Sequence, residues 1–210
     1  MVILKKILDF YINSSLHVAL SAFALVSMTQ YFFGVQGDFS VAFFAFFGTV
    51  VGYNFVKYDA IARLNKTEIK KELKAIVFLS FISLLACFYF FTQLSWMSKV
   101  SAFAFFGLTL LYTLPFFPNK QNARNWKGVK IYIVGITWVG VTVILPLVEA
   151  EIPFSKDVFL MALQRFLLIF SMVLVFDIVD VKQDDIHLQT VPQKIGVEPT
   201  KKLGYVLLLL

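Results

Sequence analysis

Between Asp157 and Asp177 the only charged residue is Arg165. An apolar stretch of about 20 residues is the length that crosses ~30 Å of hydrocarbon as a helix rising 1.5 Å per residue. Six such runs follow one another, at about 12–33, 39–57, 75–94, 99–117, 129–148 and 157–177. The expected fold is therefore all-α: a polytopic transmembrane helical bundle with six complete spans. A further run from Leu203 to Leu210 is too short to cross and reads as the start of a seventh helix, with the chain cut inside it. Composition closes the alternative of a soluble core. Hydrophobic residues make up 59% of the chain, 25 residues are Phe, and only 15% are charged, against about 25% in an average soluble domain. The first run follows Lys5 and Lys6 as a signal peptide would. It is too long for one, and its small residues lie inside the run, so it reads as a retained helix.

The charges sort by loop. Of the 19 Lys and Arg residues, sixteen fall on the N-terminus and on segments 57–74, 118–130 and 178–202; two fall on the links 34–38, 95–99 and 149–157. The last is Arg165. The positive-inside rule then places the N-terminus and the three basic segments in the cytoplasm, in a multi-pass protein of a bacterial inner membrane. It also accounts for the net charge of +6 without nucleic acid. Short links predict tight antiparallel hairpins for helices one–two, three–four and five–six. The whole of 1–210 reads as one transmembrane domain with no soluble module, so function is sought in the longer cytoplasmic loops. The single cysteine, Cys87, excludes an internal disulfide.

The sixth run ends in "VFDIVDVKQDD", residues 175–185. Asp177, Asp180 and Asp184 are spaced i, i+3, i+7 and share one face of a continuing helix, while Asp185 points about 100° away from Asp184. Carboxylates on one stripe repel each other, and at a helix C-terminus they meet the wrong end of the macrodipole. A divalent cation relieves both, and Mg²⁺ takes this all-oxygen ligation, completed by water and phosphate oxygens. The other reading is a solvated loop with Asp at turn positions. Downstream, Pro192 and Gly196 end the helical segment. His187 reads as a solvated loop residue rather than a ligand.

These residues carry a resemblance. "DIVDVKQD" followed by "TVP" and "KIG" resembles the second aspartate motif of the UbiA superfamily of intramembrane prenyltransferases. "LYTLPFFPNKQNARNWKGVKIYIVGITW", residues 111–138, is similar to that family's link between its fourth and fifth helices. The resemblance implies a helical bundle of eight or nine helices around a chamber open to lipid. It implies Mg²⁺ as cofactor, with an isoprenoid diphosphate and an aromatic or other lipophilic acceptor as partners. By the same resemblance Asp177, Asp180 and Asp184 are the metal-binding and catalytic residues. Asn54, Lys57, Tyr112, Arg124 and Lys130, with Lys127, contact the diphosphate. Metal and basic groups stabilise a leaving pyrophosphate, and an apolar chamber keeps water from an allylic cation.

The chain departs from that pattern at the end of the second run, where it reads "GYNFVKYDAIAR". Asn54 matches the family's first motif, but Phe55, Tyr58 and Ala62 stand at its aspartate positions. Asp59 is one place out of register, about 140° around the helix from Asn54. Phe116 stands where the family has a Lys after Tyr112, the nearest Lys being Lys120, and no Gly stands between the second motif and Thr190. Such a chain is a prenyltransferase with altered metal use or a catalytically inactive homologue that binds lipid or quinone. A cation-coupled transporter fits less well, since there is no internal repeat or pair of broken helices. Arg165 is expected to snorkel outward toward Glu149, Glu151 or Asp157, or else to sit in a buried ion pair. His17, Gln30 and Gln93 are expected to hydrogen-bond to neighbouring helices, and Gly48 and Gly52 to mark close packing. Trp96 and Trp126 read as interfacial belt residues.

Overall fold

A computed structural model describes residues 2–35, 37–64, 71–114, 126, 128–181 and 188–209, apart from the side chains of 2, 59–64, 71 and 72. Every regular element among them is helical: α1 (Val2–Asn13), α2 (Leu16–Phe32), α3 (Ser40–Leu64), α4 (Lys71–Gln93), α5 (Trp96–Thr113), α6 (Lys130–Val139), a π-helical turn (Gly140–Ile144), α7 (Leu145–Glu149), α8 (Lys156–Asp180), α9 (Val191–Ile195) and α10 (Val197–Leu209). Four spans are long and apolar enough to cross a membrane: Ser40–Tyr58, Leu73–Gln93, Lys130–Glu149 and Lys156–Asp180. The bent pair α1–α2 makes a fifth if it is taken as one span. Only 11% of the Leu73–Gln93 span is buried within the protein. Phe78, Phe81 and Phe88 point outward, an arrangement that hydrocarbon solvates and water does not.

The first run is broken. Ser14 and Ser15 separate α1 from α2, Ser15 adopts a left-handed conformation (φ 60°), and the axes bend by 60°. Serine competes for backbone hydrogen bonds in non-helical conformations, and here the Ser14 hydroxyl turns back toward the Tyr11 carbonyl at 3.5 Å. The run from residue 12 is therefore not one continuous helix; its main part, α2, starts at Leu16. At the other end of the chain the apolar residues from Leu203 belong to a longer helix that begins at Val197.

By contacts the chain divides into two compact units, Met1–Lys99 with Pro146–Glu151, and Val100–Leu145 with Ile152–Leu210. In the first, α3 packs against both α2 and α4. Phenylalanines interlock there: Phe23 meets Phe43 at 5.3 Å between ring centroids, and Phe90 stacks on Phe43 at 5.1 Å and on Phe47 at 5.9 Å. The link between α2 and α3 turns on Gly34 and Gly37, both at positive φ. Gln30 seals it by donating to the Asp38 carbonyl at 2.8 Å, within the link rather than across to another helix. Glu149 accepts the Ser95 amide on both carboxylate oxygens, at 3.1 and 3.0 Å, at the start of α5, where a negative charge meets the positive end of a helix dipole.

In the second unit α8 packs against α6, α9 and α10, with Tyr132 of α6 against Phe166 and Phe170 of α8. Ser155 caps α8 by accepting the Val158 amide at 3.3 Å. The π-helical turn has a local cause. Pro146 has no N–H to give residue 142 and its ring crowds that carbonyl, and a widened turn just before it absorbs the clash. The tightest contacts onto a glycine are made by side-chain rings, at Gly135 and Gly140; of the two glycines expected to mark close packing, Gly48 is at ordinary contact distance from α4 and Gly52 faces open space. A Cβ at Gly135 would lie 2.6 Å from the Phe166 ring and one at Gly140 would overlap the Phe105 ring; at Gly48 it would meet only Cys87 Sγ at 3.6 Å, and at Gly52 nothing.

Candidate functional site

The sequence-marked residues divide between the units. Asn54 and Lys57 belong to the first, and Tyr112, Lys130, Asp177 and Asp180 to the second. Asp184, Arg124 and Lys127 lie outside the described residues.

In the second unit, Asp177 is 2% exposed, although it lies within a turn of the end of α8. Lys130, the first residue of α6, donates to its Oδ1 at 2.9 Å. Burying a carboxylate this deeply is costly unless it is paired, and the Lys130 ammonium supplies the pairing. Asp180, one turn further and on the same face, is half-buried and makes no hydrogen bond or ion pair among the described residues. The result is one carboxylate paired with an ammonium and, one turn on, a second carboxylate that is half-buried. Tyr112 is half-buried near the end of α5.

Neighbouring backbone frames this end of α8. Gly128, at φ 69°, donates to the Leu188 carbonyl at 3.2 Å, tying the approach to α6 to the segment that follows α8. Thr190 donates its amide to Gln193 Oε1 at 2.9 Å, Pro192 is buried in the first turn of α9, and Gly196 closes α9 at φ 89°. The "TVP" and "KIG" residues thus start and stop a short helix packed against α8.

Two hard oxygen donors one turn apart suit a Mg²⁺ ion that is also held by phosphate oxygens. A cage made by protein alone is a different matter: among the described residues no three His, Cys, Asp or Glu side chains gather.

In the first unit, Asn54 is 3% exposed on α3 and donates through Nδ2 to Ser80 Oγ of α4 at 2.9 Å. The Ser80 hydroxyl is itself a donor to the Ile76 carbonyl at 2.8 Å, so it can only accept from Asn54, which fixes the amide orientation. Asn54 Oδ1 is then buried with no partner among the described residues. Lys57 and Tyr58 have other work. Lys57 Nζ reaches the Asn13 carbonyl at 3.4 Å and Asn13 Oδ1 at 3.3 Å, and Tyr58 donates its hydroxyl to the same carbonyl at 2.9 Å. Asp59 belongs to α3, but its side chain lies outside those described.

Sequence reasoning missed Ser80, Asn13 and the Lys130–Asp177 pair. Only the last had a signal, a lysine opening an apolar run. Arg165 does not snorkel: it is 4% exposed, within the bundle, with Nη2 4.0 Å from Met161 Sδ. Among the described residues His17 Nδ1 is buried without a partner, and its ring lies 5.9 Å from that of Tyr11. Comparison with protein-family models, with curated proteins and with solved structures finds no match.

Proposed function

We propose that this chain is a UbiA-like intramembrane prenyltransferase that transfers an isoprenoid group from its diphosphate to a lipophilic acceptor. It would cross a bacterial inner membrane six times, with the N-terminus and the basic segments cytoplasmic. The observation that carries the reading is the Asp177–Asp180 face at the end of α8 with Lys130 against it. Carboxylates and an ammonium side by side suit a ligand that brings both a cation and an anion. Asp177 and Asp180 would hold Mg²⁺, and Arg124 and Lys130 would meet phosphate oxygens. When bound, the ion supplies charge neutralisation for the leaving diphosphate. The protein's own part is to fix Asp177 through Lys130 and to present Asp180. Apolar helix faces keep water from the reacting carbon.

The test is Mg²⁺-dependent release of pyrophosphate from geranyl and longer isoprenoid diphosphates by the purified full-length protein. Release that is lost in Asp180→Asn, with folding unchanged, supports the reading. Absence of release from every chain length overturns it.

A second reading rests on the end of α3. Lys57 and Tyr58 are engaged with Asn13, at and beside the positions where the resemblance expects the first aspartate motif. A bundle that uses this helix end structurally can bind an isoprenoid or a quinone without cleaving it. Saturable binding of a quinone with no pyrophosphate release is the outcome that selects this reading.

A further inference from the structure

At 100° per residue, Lys5, Lys6, Asp9 and Asn13 of α1 fall within about 100° of one another. Ile3, Leu4, Ile7, Leu8, Phe10 and Ile12 occupy the rest of the circumference. Much of that apolar face is uncovered among the described residues: Ile3 is 75% exposed, Leu4 71% and Ile7 61%, with Tyr11 on the same side half-buried against His17. A face this wide on a 12-residue helix, only about 18 Å long, neither spans a bilayer nor tolerates water.

The elbow decides where the face goes. α1 runs through Ser14 and Ser15 directly into α2, which packs on α3 inside the bundle. The 60° bend turns α1 away from the direction of α2, and spanning helices stand on average ~20° from the membrane normal. The bend is held: Lys57 and Tyr58 of α3 both donate to the carbonyl of Asn13, the last residue of α1. Carbonyls at a helix end lack intrahelical donors, and a lysine there also suits the negative end of the dipole.

We infer that α1 is an in-plane membrane anchor. It lies along the surface at the head of α2 with its apolar face in the acyl boundary and Lys5 and Lys6 among anionic phospholipid headgroups. An amphipathic helix with lysines on its polar face binds an interface in this way, and a basic segment next to a span is drawn to anionic lipid. Continuity with a membrane-embedded helix identifies the occupant of the face as the bilayer to which the chain already belongs. The inference is independent of prenyl transfer. It also gives Lys57 and Tyr58 a role, as the pin that sets the elbow.

The test uses the full chain with Cys87→Ala, spin-labelled at Ile7→Cys or Lys6→Cys, in vesicles of phosphatidylcholine and phosphatidylglycerol. Both labelled positions are exposed, so neither substitution disturbs the bundle. Collision with oxygen should exceed collision with a water-soluble nickel chelate at Ile7 and fall below it at Lys6. Nickel dominance at both positions, oxygen dominance at both, or shielding of Ile7 from both reagents, as a second copy would produce, overturns the inference. Omitting phosphatidylglycerol should move the Ile7 label toward water, and an unchanged depth removes the headgroup role of the lysines. Lys57→Met with Tyr58→Phe should loosen the Ile7 spectrum, and an unchanged spectrum removes the pin.

Discussion

Lys130 and Asp177 are 47 positions apart, and the half-buried ammonium pairs with the buried carboxylate at 2.9 Å. Removing one member of a buried pair strands the other's charge and typically costs about 3–5 kcal/mol, whereas replacing both with apolar residues is often neutral. Lys130→Met should therefore lower the melting temperature in detergent sharply, and Lys130→Met with Asp177→Leu should recover most of the loss. If the single and double variants melt alike, the pair does not hold this end of α8. Asn54 should behave in the opposite way. Its Oδ1 is buried without a partner among the described residues, a cost of about 1–3 kcal/mol, while Ser80 keeps its bond to Ile76 whatever stands at 54. Asn54→Leu should leave the melting temperature unchanged or raised; a fall would mean that the amide stabilises the fold. At this scale the sequence shows which carboxylates share a face, because helical spacing is local. It is silent on the partner, because no periodicity links position 130 to position 177. Lys57 shows the same limit: it reads as a phosphate ligand by position, and its contact is with a carbonyl 44 residues earlier.

Periodicity and length make the helices themselves legible, and the interruptions are where the reading and the structure part. The apolar run through residues 12–33 hides the break at Ser14–Ser15, since two buried serines do not interrupt a hydrophobic average. The π-helical turn had a signal in Pro146, whose missing N–H has to be absorbed somewhere in the turn before it. By sequence, Gly48 and Gly52 mark close packing. It is found where a large ring lies over a glycine, which spacing along one helix does not reveal. The consequence is measurable. Gly140→Ala puts a methyl into the Phe105 ring, and Gly52→Ala meets open space. Overpacking costs roughly 1–3 kcal/mol, whereas an alanine within a helix gains up to about 1 kcal/mol over glycine. Thermal melts should show Gly140→Ala destabilised and Gly52→Ala neutral or slightly stabilised. Equal melting of the two would mean that Phe105 moves aside at no cost.

For the molecule as a whole the number of crossings turns on whether the bent pair α1–α2 is one span and on whether α5 crosses; with the α1–α2 run counted as crossing, α5 decides it. Four spans are apolar and long enough without it; α5 is 18 residues long and carries Lys99, Ser98, Ser101 and Thr109 among its apolar residues. Charge parity settles what to expect. With α5 crossing, basic residues divide sixteen to two between the faces; without it, every segment after α5 changes sides and the same residues divide nine to nine. A strong bias of one sign is what sets orientation during insertion, and an even split would leave none. α5 should therefore cross despite its polar residues, with Lys99 at the outer end extending to water. Single cysteines in the Cys87→Ala background report this through a membrane-impermeant thiol reagent applied to right-side-out vesicles. Phe39→Cys and Phe154→Cys should react at once. Lys66→Cys, Gln121→Cys and Lys194→Cys should react only after permeabilisation. Reaction of Gln121→Cys and Lys194→Cys in sealed vesicles, with Phe154→Cys protected, would mean that α5 stays on one face. The Asp177–Asp180 end of α8 would then face outward, away from any cytoplasmic diphosphate.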